Sequence, residues 1–142
     1  MFSTIKNLSF AFAVLVLTAF SVNAQNTHHW KIDKSHTSVN FSINHFFSEV
    51  TGKFTEFDGT IHFNPENLKK SSVVFSIPIN SISTDNEKRD NHLLSKDFFN
   101  AEDYETMTFE SNRFEKTSDN EYIVHGELTI RDITKKVSLP FK

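Results

Sequence analysis

A two-residue rhythm of apolar side chains constrains this chain more than any other feature. In "VNFSINHFF" the residues Val39, Phe41, Ile43, His45 and Phe47 fall on one side of an extended backbone, with Asn40, Ser42 and Asn44 on the other. The rhythm returns as Phe57, Gly59, Ile61 and Phe63, then as Val73, Phe75, Ile77 and Ile79. It continues as Met107 and Phe109, as Tyr122, Val124, Leu128 and Ile130, and last as Val137, Leu139 and Phe141. Phe54 is out of phase with Phe57, which predicts a bulge or bend between them. Pro78 lacks an N–H and belongs at an edge or bulge. "NPENL" at Asn64 to Leu68 and "TSDN" at Thr117 to Asn120 carry turn chemistry, the second as a hairpin connection. Six strands follow, with a seventh at "HHWKID". Antiparallel strands with one apolar face must pack on a second sheet or close into a barrel.

One stretch breaks the rhythm. "TDNEKRDNHLLSKDFF", Thr84 to Phe99, places Leu94 and Phe98 on one helical stripe. Thr84 followed by Glu87 is a capping-box spacing, and Asp85 before Arg89 is a favourable i,i+4 pair. A short helical insertion near residues 85–99, capping the end of the sheet structure, is therefore expected.

The N-terminus indicates export. Lys6, the apolar run "LSFAFAVLVLTAF" and "VNA" ending at Ala24 have the layout of a signal peptide over residues 1–24. The run is shorter than the roughly 20 apolar residues of a bilayer span. Residues 25–142 then form one domain, periplasmic or secreted. The leader removes one of the 15 basic residues and none of the 18 acids, so the net charge moves from −3 to −4. This balance argues against nucleic acid as a partner. Without cysteine the domain has neither disulfides nor thiolate metal sites, so packing, supplied largely by phenylalanine, must stabilise it.

Catalytic chemistry is weakly represented. Asp33, Ser35 and His36 supply the residue types of a nucleophilic triad, but on an extended strand neighbours point to opposite faces, and no G-x-S-x-G elbow is present. Seven histidines raise the question of a metal, yet none follows H-E-x-x-H spacing. No cofactor is expected. His62 and His125 fall on polar phases. His45 alone stands in an apolar row, as a satisfied core histidine or as a polar contact inside a cavity.

Three runs, "WKIDKSHTSVNFSINHFFSEVTGKF", "SISTDNEKRDNHLLSKDFFNAEDYETMTFES" and "GELTIRDITKKVSLP", resemble the YceI-like family of exported bacterial proteins. The first motif is matched by Trp30, Asp33, His36, Phe41, His45, Gly52 and Phe54. The second is matched by Arg89, Asp90, His92, Leu93, Asp97, Phe98 and Phe99. Thr37, Glu105, Asp132 and Lys136 depart from the usual Ser, Pro, Gly and Pro. The resemblance implies an all-β, antiparallel, lipocalin-like β-barrel holding a polyisoprenoid or similar lipid. Family members continue beyond the equivalent of Lys142, so closure is expected to be incomplete, with this chain either a fragment or an open barrel that dimerises through its exposed edge.

In that setting the apolar row of Phe41, Ile43, Phe57, Ile61, Phe63, Phe75, Ile77, Met107, Phe109, Val124 and Leu128 would line the lumen, with Leu94 and Phe98 sealing it and His45 as an internal polar contact. Arg89 has two readings: a receptor for an anionic or carbonyl head group, or a salt bridge to Asp85 or Asp97. Burial is worth about 0.8 kcal/mol per CH₂ against an association cost of roughly 4–15 kcal/mol, so the expected ligand is a long-chain isoprenoid or quinone. The implied role is a non-enzymatic carrier or store with transient membrane contact. Two other classes are a secreted interaction or stress-response module and a metal-dependent enzyme.

Overall fold

The computed structural model describes residues 28–45 and 47–142; the expected signal peptide lies outside the described residues. Among the described residues nine strands form two antiparallel sheets. The larger is built from β1 (His28–Trp30), β4 (Asp58–Phe63), β5 (Ser72–Pro78), β7 (Thr106–Ser118), β8 (Glu121–Ile130) and β9 (Ile133–Phe141), in the order β1-β4-β5-β7-β8-β9. The smaller has the order β2-β3-β6, from β2 (Val39–His45), β3 (Ser48–Phe54) and β6 (Ile82–Ser83). All pairings are antiparallel, and among the described residues the sheets do not join into a closed barrel.

The alternating runs form strands where expected, except that Phe47 falls in the turn after β2 and Ile79 leaves the row of β5 in a turn of 3-10 helix, Ile79–Ser81. Two elements were not anticipated. β3 pairs with β2 over its whole length, and β6 is a two-residue strand beside it. In β3, Val50, Gly52 and Phe54 share one face, but glycine interrupts the apolar row. The Phe41 ring takes the missing space: a Cβ on Gly52 would lie 2.3 Å from Phe41 Cζ. The predicted irregularity between Phe54 and Phe57 is a break between β3 and β4, tied down by Thr55 N–H to Ser81 O at 2.9 Å. Pro78 ends β5 beyond the last residue that β4 pairs, so its missing N–H costs no ladder bond to that neighbour.

The large sheet is strongly curled. Phe63 on β4 and Phe141 on β9 are separated by β5, β7 and β8, a distance of roughly 19 Å in a flat sheet. Their ring centroids are nevertheless 5.2 Å apart. A register shift between Ser111 and Arg113 contributes to this curl. It also moves the buried phase of β7 from Met107 and Phe109 to Phe114.

Two apolar clusters result. The first comprises Phe54, Ile79, Ile82, Ala101 and Met107, with Val39, Phe41, Ile77, Leu93, Leu94, Phe99 and Ile130 against it. The second comprises Phe109, Phe114 and Val124, flanked by Phe63, Leu68, Val73, Phe75, Leu128, Val137 and Phe141.

The insertion is a helix, α1 (Glu87–Leu94), followed by turns to residue 103. Its cap differs from the predicted box. Asn86 is the N-cap and accepts from Arg89 N–H at 2.9 Å, with Glu87 and Asp90 in the first turn. Thr84 is instead buried and bonded to side chains of the helix. Beyond α1, Phe99 N–H donates to Leu93 O and Ala101 N–H to Leu94 O, both at 3.0 Å. This winding turns Leu93, Leu94 and Phe99 toward the first cluster and leaves Phe98 outside, 47% exposed and edge-on to His92. Phe98 therefore does not seal the sheet structure; Phe99 takes that place beside Leu94.

The β8–β9 hairpin turns at Arg131 and Asp132. Only Arg131 has positive φ (57°), so the turn does not demand glycine at 132.

Candidate functional site: an aromatic cavity on the curled sheet

The curl creates a cavity of about 690 Å³. Trp30 comes from β1, Ile61 and Phe63 from β4, Phe75 from β5, Tyr122 from β8 and Phe141 from β9. Ile32 and Thr37, on the segment between β1 and β2, complete one wall, and Lys31, Asp33, Asn120 and Lys142 stand at its polar margin.

The aromatic wall is ordered by ring packing. Phe63 meets Tyr122 edge-on at 5.0 Å and Phe141 at 5.2 Å. Tyr122 and Phe141, partners in the β8–β9 register, stack at 5.4 Å. Such pairs add about 0.5–1.5 kcal/mol each beyond area burial. Phe75 stacks on Phe57 at 5.8 Å, and its ring lies over Gly59, where a Cβ would come within 2.7 Å of Phe75 Cδ2. A side chain there would also meet the Val74 carbonyl oxygen at 2.6 Å, so the close approach of β4 to β5 at this point requires glycine.

The residues expected to share one lumen are divided between two regions. Phe63 and Phe75 line the cavity. Phe109 and Leu128 belong to the second cluster, and Phe57 is buried against Phe75. Phe41, Ile77 and Met107 are in or against the first cluster. Ile43 is 56% exposed on β2. The His45 side chain lies outside the described residues. Sequence reading did not name Trp30, Ile32, Tyr122 and Phe141 as lining residues. The phases of Tyr122 and Phe141 were visible, whereas Trp30 and Ile32 belong to no long alternating run.

Arg89 is engaged by the backbone. Its Nε donates to Thr84 Oγ1 at 2.7 Å and its Nη2 to Thr84 O at 2.8 Å, while Asp90 Oδ1 accepts from Thr84 N–H at 2.9 Å and from its hydroxyl. Among the described residues it makes no ion pair with Asp85 or Asp97; Asp97 lies 3.6 Å from His92. Arg89 anchors the entry to α1, away from the residues that line the cavity.

Asp33, Ser35 and His36 are in a turn rather than a strand, which corrects the geometric premise used for them. Asp33 Oδ1 accepts from Ser35 N–H at 2.9 Å, and Oδ2 lies 2.8 Å from His36 Nδ1. The His36 bond first and the Ser35 N–H second lower the Asp33 pKa from its ordinary value. The hydroxyl of Ser35 makes no bond to His36 among the described residues. His125, on the outer face of β8, has Nδ1 2.8 Å from Ser138 Oγ and Nε2 3.0 Å from Arg113 Nη2. No three His, Asp or Glu side chains gather in a metal-binding arrangement among the described residues.

A model of the YceI-like domain family matches residues 30–142. The chain belongs to the YceI-like family. It is 39% identical over 141 residues to Protein YceI of Salmonella agona, covering 96% of this chain and 72% of that one. A UPF0312 protein of Vibrio cholerae is 34% identical over 128 residues, covering 88% and 66%. The chain thus spans about two thirds of the length of such curated relatives. Among solved structures, Burkholderia cenocepacia BcnA superposes with a TM-score of 0.73 at 25% identity, covering 78% of this chain and 69% of that one. The Campylobacter jejuni YCEI protein does so with a TM-score of 0.61 at 35% identity, covering 80% and 67%. The fold class is the lipocalin-like, antiparallel β architecture that the YceI-like resemblance implied, and no enzyme family is indicated.

Proposed function

We propose that this protein is an exported lipid carrier or store, and that the cavity lined by Phe63, Tyr122 and Phe141 holds the apolar tail of an isoprenoid, quinone or similar long-chain lipid. The cavity carries the reading. Its volume falls in the usual range for small-molecule sites, and its lining is mainly aromatic and aliphatic, with Lys31, Asp33, Thr37, Asn120 and Lys142 as the polar members.

Volume also sets a length. At roughly 30 Å³ per heavy atom, the share a water takes in the liquid, the cavity accommodates about twenty carbons, or four isoprene units. Burying them returns about 16 kcal/mol gross, above the roughly 4–15 kcal/mol cost of association. A tail of several tens of carbons exceeds this volume, so the cavity would grip one end of it. Loading and delivery would require transient contact with a membrane, and the leader-like residues 1–24 would direct the protein to the periplasm or outside the cell.

Native mass spectrometry of the exported protein, followed by organic extraction, tests the proposal. The expected result is a stoichiometric lipid adduct released by organic solvent. A protein that carries no lipid and binds none when offered a twenty-carbon isoprenoid would refute it.

A further inference from the structure

The three-stranded sheet has a second face. β2 and β3 turn Val39, Phe41 and Phe54 toward the first cluster, so the alternate residues Asn40, Ser42, Thr51 and Lys53 point the other way. The ladder sets Asn40 opposite Lys53, Ser42 opposite Thr51, and Ser83 on β6 beside Lys53. These side chains, with Asp85, line a groove of about 450 Å³. Its floor is hydroxyl and amide, and its charges are one cation and one anion. Among the described residues neither Lys53 nor Asp85 makes an ion pair. Asp85 is exposed, yet its backbone is pinned. It stands at a φ of 57°, which aspartate tolerates better than most residues. Before it, Thr84 is bonded to Asp90 and Arg89; after it, Asn86 caps α1.

We propose that this groove binds one ring of a neutral saccharide. A sugar ring carries hydroxyls that both donate and accept, and the groove meets them in kind: Asp85 accepts, Lys53 donates, and the side chains of Asn40, Ser42 and Thr51 do either. At roughly 30 Å³ per heavy atom the groove takes about fifteen atoms, the size of an N-acetylhexosamine unit. The two charges cancel, so a polyanion gains nothing here, and the polar floor offers no burial to a hydrocarbon tail. The groove shares no lining residue with the aromatic cavity, so this inference stands apart from the lipid reading.

The test is a heteronuclear NMR titration of the folded protein with two neutral probes, the β-1,4-linked trimer of N-acetylglucosamine and maltotriose. At least one is expected to give saturable shifts, with a Kd of about 1 mM or lower, at the amides of Asn40, Ser42, Thr51, Lys53, Ser83 and Asp85. Glycylglycine, which matches the two charges but has no hydroxyls, should leave them unmoved. Asp85→Asn suits the same backbone conformation and Thr51→Val the same strand; each should weaken binding about fivefold to tenfold without shifting the melting temperature. No saturable shift with either saccharide, shifts centred outside the groove, equal binding of glycylglycine, or wild-type affinity in both variants would each overturn the inference.

Discussion

Around Ile79, apolar side chains converge from both sheets and from the α1 segment, and Ile79 retains only 2% exposure. Around Phe63, rings on β4, β8 and β9 meet through the curl of one sheet and border a cavity of about 690 Å³. Both regions are rich in phenylalanine and aliphatic residues, so composition does not separate them. The difference is a cover. Leu93, Leu94 and Phe99 fill the space over the first cluster, whereas among the described residues the second receives only Leu68 from a single turn of 3-10 helix, Leu68–Lys70. The segment that carries the second family motif therefore completes a core, while the candidate ligand site lies elsewhere.

Ile79→Ala should break the filled region most severely. Full burial with neighbours on several sides predicts a loss of about 2–5 kcal/mol in urea unfolding, with lipid affinity of the folded fraction unchanged. Phe63→Ala should cost less, about 1–3 kcal/mol, because its ring is only half-buried and already borders empty space, but lipid affinity should fall at least tenfold. An equal stability loss with intact binding would erase the distinction between the regions.

Arg89→Ala sharpens the comparison from the other side. It removes two hydrogen bonds to Thr84 and should lower stability by about 1–2 kcal/mol while leaving lipid affinity within twofold. A tenfold loss of affinity with unchanged stability would return Arg89 to the head-group role expected from sequence.

The smallest effect concerns the cavity margin. The Lys142 ammonium and then the Ser118 hydroxyl lower the Glu121 pKa from its ordinary 4.5. The stabilisation is fully present above that value and disappears as pH falls through the depressed one. In Glu121→Gln the melting temperature should depend less steeply on pH below about 4.5, with little change at pH 7.

Much of the fold was legible because alternation is a direct image of a sheet with one buried face. β3 was missed for a local reason: its inward row runs Val50, Gly52, Phe54, and the apolar group at the middle position is supplied across the ladder by Phe41. β6 is too short to show a period. The helix was legible, but its cap was not, since Thr84 and Asn86 are both good capping types and only the fold commits the Thr84 hydroxyl to Asp90 and Arg89. The candidate site was the least legible part. Alternation says that a residue faces inward without saying whether the space it faces is filled. The curl that brings Phe63 to Phe141 across three intervening strands, and the cover that α1 gives to one end alone, are tertiary facts.

The most direct test of the central claim compares two single substitutions, each introducing a carboxylate on an apolar row expected to line the lumen. Ile61 lines the cavity, whereas Ile43 is exposed on β2. The quantity to measure is organic-extractable lipid per mole of folded, exported protein. Ile61→Asp should empty the protein and Ile43→Asp should retain the wild-type amount. Retention in Ile61→Asp together with loss in Ile43→Asp would contradict the placement of the ligand on the curled sheet.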